Sequence, residues 1–105
     1  MSWSFGAHIP AEATHSTDEV AAIIEAARGD YEDTTHAEFE EEARHQITVA
    51  VNEAAAIAAS GALGHGYPLS VTLSGHSNPR HGERAGYASE YIGITISQMP
   101  PETAA

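Results

Sequence analysis

Cysteine is absent from the 105-residue chain. This excludes a disulfide framework, thiol catalysis and every zinc site built on thiolates. Lysine is absent too: the four bases are all arginine, against fifteen acids, for a net charge of −11 with histidine neutral. That balance argues against direct binding to nucleic acid or to an anionic lipid surface. No stretch approaches the roughly 18 apolar residues of a membrane span. The opening Met-Ser-Trp-Ser-Phe-Gly-Ala-His has neither a basic segment nor an apolar run, so no signal peptide is expected and the expected place is the cytoplasm. Catalytic signatures are missing as well. There is no G-x-S-x-G elbow, P-loop, G-x-G-x-x-G fingerprint or H-E-x-x-H zincin motif.

What is present divides the chain by charge. From 12 to 53 there are twelve acids and only Arg28 and Arg44, a net of −10; from 63 to 105 the net is −1. The reading is one domain, 1–105, with an acidic helical half at 16–60, a glycine-rich hinge at 61–68, a β-hairpin half at 69–98 and a tail at 99–105. Ser16-Thr17-Asp18-Glu19 is a capping box, and Val20, Ile23, Ile24 and Ala27 follow it on a helical period. Gly29 stands where a left-handed helix end is wanted. Thr35-His36-Ala37-Glu38 repeats the capping pattern ahead of a second, longer helix expected over 36–60, with Phe39, Ala43, Ile47, Ala50, Ala54 and Ile57 along one face. Its acidic face, Glu38, Glu40, Glu41 and Glu42, lies where the helix dipole favours anions. Glu40–Arg44 and Glu41–His45 have favourable i,i+4 spacing.

After Pro68 the period becomes two. Leu69, Val71 and Leu73, then Ile92, Ile94 and Ile96, alternate with hydroxyl-bearing and small residues, which predicts two half-buried strands. A weaker alternation of Trp3, Phe5 and Ala7 adds a third. The expected fold is α+β, a two-layer β-α-α-β-β arrangement with a small antiparallel sheet packed on two helices. Its expected core sets those six strand residues on Phe39, Ile47 and Ile57, with Val20, Ile23 and Ile24 added from the first helix.

The segment 75–87 concentrates unusual chemistry between two strands. His76, Asn78, Arg80, His81, Arg84 and Tyr87 form a candidate binding loop, with arginine forks and an amide for a carboxylate, phosphate or peptide and an aromatic anchor. The plainer alternative is an excursion whose arginines neutralise the acidic helix. Loop histidines would also make any binding pH-sensitive. His76, His81 and Glu83, with His65 as a fourth, are weak candidates for a metal; no metal or other cofactor is expected. Ser74, His76 and Glu83 do not have a spacing that demands a triad. Two E-x-x-H matches, at Glu12–His15 and Glu42–His45, are at chance level among 12 glutamates and 7 histidines. No catalytic residue is assigned, and no enzyme is expected.

The run Ser74-Gly75-His76-Ser77-Asn78-Pro79-Arg80-His81, preceded by Val71-Thr72-Leu73 and followed by Gly86-Tyr87-Ala88 and a closing strand, resembles a small group of actinobacterial phage and prophage proteins. The resemblance covers about a quarter of the chain. It implies a phage-type accessory or virion protein, placed in the host cytoplasm or the virion, and transfers no catalytic residue. The expected function is non-enzymatic: self-assembly as a homo-oligomer, or contact with a protein partner, without direct binding of nucleic acid or membrane. The alternatives are an acidic decoy that mimics nucleic acid for a basic host protein, and a metal-binding histidine loop.

Overall fold

A computed structural model describes residues 2–35, 41–76 and 91–99. It has the expected α+β order, strand, helix, helix, strand, strand: β1 (Ser2–Ile9), α1 (Thr17–Thr35), α2 (Glu41–Ala59), β2 (Leu69–His76) and β3 (Tyr91–Gln98). A short 3-10 turn, Ala11–His15, links β1 to α1. The sheet order is β1-β2-β3 with both pairs antiparallel, so β2 is central. Ser4 lies opposite Ser74, and Ser74 opposite Gly93.

Alternation dictates which side chains enter the core. Trp3, Phe5, Ala7 and Ile9 from β1 and Leu69, Val71 and Leu73 from β2 are buried beneath the helices. Val20 and Ile24 of α1, with Ile47 and Val51 of α2, complete the layer. The N-terminal strand, the faintest in sequence, therefore supplies the largest core side chain. Phe5 stacks between Trp3 and Tyr31, at ring-centroid distances of 6.0 and 5.6 Å. Five buried alanines of α2, Ala43, Ala50, Ala54, Ala55 and Ala58, let neighbouring elements approach it closely.

Three expectations need correction, and a fourth falls partly outside the described residues. Helix α1 does not stop at Gly29; it continues to Thr35, and Gly29 is absent from the positive-φ glycines. Tertiary contacts made beyond that point, where the Tyr31 ring stacks on Phe5 and its hydroxyl meets Ser4 N, outweigh the ~1 kcal/mol a mid-helix glycine costs. The capping box is half made. Glu19 N donates to Ser16 Oγ at 3.2 Å, while Ser16 N is taken by the Ala13 carbonyl. The second helix is described from Glu41, and Phe39, Glu38 and Glu40 lie outside the described residues. Finally, the β3 isoleucines are not full core members. Ile94 and Ile96 are half-buried, Ile92 is 40% exposed, and on α2 Ile57 is 38% exposed. The sheet margin is the reason: β3 has α2 on its inner flank and no described element beyond it. Ile23 is likewise only partly buried.

Candidate functional site

That incomplete cover leaves a groove of about 470 Å³ between α2, the α2–β2 connector and β3. Glu53 and Ile57 form one wall, Ala62 and Leu63 the end, and Ile92, Ile94 and Ile96 the floor. The connector is shaped by glycines. Gly61, Gly64 and Gly66 all have φ of +83°, a conformation that side chains with a Cβ resist. Gly64 N closes a turn on the Gly61 carbonyl at 2.9 Å. Gln98 Nε2 donates to the Leu63 carbonyl, and Met99 N donates to the Pro68 carbonyl at 2.9 Å, so the end of β3 is tied to the connector.

A second anchor holds the connector from the other side. Thr14, fully buried, donates from Oγ1 to the Ala11 carbonyl at 2.8 Å and accepts Gly66 N at 3.3 Å. Its carbonyl lies 2.9 Å from His65 Nδ1; a carbonyl only accepts, so Nδ1 carries the proton. The His65 ring stacks on His15 with centroids 4.2 Å apart. His65, weighed as a fourth metal ligand, is thus engaged in holding the connector to the 3-10 turn. Among the described residues no group of three or more histidines or carboxylates is placed to hold a metal ion.

Charge is sparse in the segments that form the floor and end of the groove. Glu53 is followed by no acid or arginine until Arg80, and none lies between 91 and 101. Exposed acids lie along both helices: Asp30 and Asp33 at the end of α1 and Glu41 and Glu42 at the start of α2, but also Glu12, Asp18 and Glu19 at and after the 3-10 turn, Glu25 on α1 and Glu53 at the groove. Arg28 is drawn into the helix pair. It donates from Nη1 to Thr48 Oγ1 at 2.7 Å and from Nη2 to the Arg44 carbonyl at 3.1 Å. It also faces Glu25 at 3.3 Å and Glu32 at 3.6 Å, the two ion pairs found among the described residues. The expected Glu41–His45 pair is not one of them.

Of the expected binding loop, only His76 is described. It is exposed at the end of β2, opposite Ser2 and Tyr91. Asn78, Arg80, His81, Glu83, Arg84 and Tyr87 lie outside the described residues. The groove was missed in sequence because its isoleucines alternate as core residues do. The available signal was the absence of charge from 54 to 79. No described helix is long and apolar enough to cross a membrane. No protein-family model, curated protein or solved structure matches the chain.

Proposed function

We propose that this is a non-enzymatic interaction protein of the phage accessory or virion type, acting in the host cytoplasm or the virion. It works by self-assembly or by contact with another protein, through the groove beside β3, and without direct contact with nucleic acid or membrane. One observation carries the reading: a chain of net charge −11 keeps Ile57 and Ile92 partly exposed in a groove lined by a single carboxylate, Glu53. Exposed apolar residues that are grouped and rimmed by polar surface mark contact sites more often than scattered ones do. The resemblance of 71–96 to phage proteins supplies the biological setting.

The acidic decoy is the competing reading, favoured by the exposed Asp30, Asp33, Glu41 and Glu42 around the α1–α2 junction. One capture experiment separates the two. Tagged wild type, Ile92→Glu and the double variant Glu41→Gln/Glu42→Gln are used as bait for untagged chain and host proteins at low and high salt. The groove reading expects complexes that survive high salt, persist with the double variant and vanish with Ile92→Glu. Complexes that dissolve in salt, ignore Ile92→Glu and vanish with the double variant would establish the decoy instead.

A further inference from the structure

We propose that the groove and the outer edge of β3 form one homodimer interface, in which β3 pairs antiparallel with β3 of a second copy. This rests on the groove reading above and names its occupant. Hydrogen-bond parity decides which backbone groups are available. In an antiparallel pair, residues alternate between those that bond to the partner strand and those whose N–H and C=O point away. The Met99 N to Pro68 carbonyl bond sets the phase, so residues 91, 93, 95 and 97 bond to β2. The backbone groups of Ile92, Ile94 and Ile96 therefore point away from β2, to the edge that no described strand pairs. The same phase carried through β2 turns Ser4 outward on β1, and Ser4 N does point away from the sheet, toward Tyr31 Oη at 3.4 Å.

The two sheet edges are not equivalent. The inner face of β1 is buried under α1, and its edge is met at Ser4 by Tyr31. Neither edge strand carries a lysine, proline, acid or arginine, the usual devices that blunt an edge. What separates β3 is that no described group meets its outward backbone and its inner face is incompletely covered. Pairing at β3 would also cover apolar surface, because the residues with outward backbone groups carry the groove isoleucines. A two-fold axis through Ile94, perpendicular to the sheet, pairs Ile94 with Ile94 of the second copy and Ile92 with its Ile96. Roughly six main-chain hydrogen bonds form in that register. Both helix layers fall on one side of the joined sheet, so the two grooves merge beneath the two α2 helices.

The lining selects the occupant. Six of its seven residues, Ile57, Ala62, Leu63, Ile92, Ile94 and Ile96, are apolar, which suits something extended and apolar along the strand edge. β3 itself, Tyr-Ile-Gly-Ile-Thr-Ile-Ser-Gln, has those properties and the matching length. The strand edge is about 27 Å long and two layers of about 10 Å deep, which gives on the order of 500 Å² per copy. This is below the usual ~800 Å² and corresponds to a dimer that dissociates at micromolar concentration.

The test is sedimentation equilibrium of the full chain from about 1 to about 300 μM, with circular dichroism as the folding control. The expected mass rises with concentration from 11.0 kDa toward twice that value. Ile92→Glu, and Ile92→Pro, which removes an edge N–H without touching the β2 bonds, should each raise the dissociation constant at least about tenfold. His8→Pro, at an outward position of β1, should leave it unchanged. Glu53→Gln should tighten the dimer, since two copies of that carboxylate meet in the merged groove. If the Ile92 variants do not fold, Glu53→Gln decides, and an unchanged constant overturns the proposal. A mass of 11.0 kDa throughout also overturns it. If Ile92→Glu still abolishes capture of another protein in that case, the groove reading stands and only its occupant was wrong. Slow amide exchange at Ile92, Ile94 and Ile96 that is independent of concentration would show that 77–90 or 100–105 of the same chain covers the edge, and would equally overturn the dimer.

Discussion

At the scale of single residues, Arg28 and Gly61 carry more of the structure than their residue types announce. The Arg28 side chain is only 13% exposed and fastens α1 to α2 through Thr48 and the Arg44 carbonyl, with Glu25 and Glu32 beside it. Hydrogen bonds from a charged donor at such a site contribute about 1.5–3 kcal/mol each before the cost of desolvation. Arg28→Ala should therefore lower stability by about 1–3 kcal/mol in urea denaturation. Arg28→Lys should recover little, because an ammonium cannot reproduce the fork. A loss under about 0.5 kcal/mol would mean that the bonds merely replace water. Gly61 poses a different constraint. Its φ is +83°, and an added Cβ would sit 2.8 Å from His65 Nε2. Gly61→Ala should cost about 1–2 kcal/mol from the backbone alone, and more from the clash. In a His65→Ala background the clash component should disappear while the backbone component stays, which a double-mutant cycle measures directly.

Among the elements, the contrast between β2 and β3 is sharpest. Their alternating patterns look alike in sequence, yet Leu73 is fully buried, whereas Ile94, directly opposite it, is half-buried. Leu73→Ala should cost about 2–5 kcal/mol, and Ile94→Ala about 1–2 kcal/mol, in urea denaturation at a concentration low enough to keep the chain monomeric. Equal costs would place β3 in the core after all. Here lies the limit of what could be read from the residues. Period, caps and glycines located α1, α2, β2, β3 and the connector, because those signals are local. Coverage of a strand depends on which element lies above it, and nothing within Ile92-Gly93-Ile94-Thr95-Ile96 encodes that. The 3-10 turn was missed for a related reason: Thr14 and His15 take their meaning from Gly66 and His65, about fifty positions later. Gly29 misled because its local preference for a helix end was overridden by contacts that α1 makes further on. Of the expected binding loop, the described structure reaches only His76, which is exposed at the end of β2. The groove was hidden in residues already assigned to the core.

Over the whole molecule the governing quantity is charge of one sign. Twelve of the fifteen acids fall between 12 and 53, on a segment with only two arginines, and the net from 63 to 105 is −1. Salt acts on such a molecule in two opposite ways. It weakens ion pairs, and it screens repulsion among like charges across the Debye length, which shrinks from about 30 Å at 0.01 M to about 8 Å at 0.15 M. The two ion pairs among the described residues both belong to Arg28, one of them at 3.6 Å, so screening has little attraction to remove. Repulsion between the end of α1 and the start of α2 is what remains. α1 adds to it because Asp33 lies near its C-terminus, with no base in the last turn to offset the dipole. Sodium chloride should therefore stabilise the fold, by about 1 kcal/mol between 0.01 and 0.5 M, which for a chain of this size is a rise of about 4–8 °C in Tm. The measurement belongs at about 1 μM, where a micromolar dimer is largely dissociated and screening of its assembly does not contribute. Asp33→Asn should reproduce part of the rise at low salt and shrink the salt response, because it removes one repelling charge and one unfavourable dipole contact together. A Tm that stays flat or falls with salt would mean that attraction around Arg28 outweighs the repulsion between the helix ends, despite the imbalance of acids over bases.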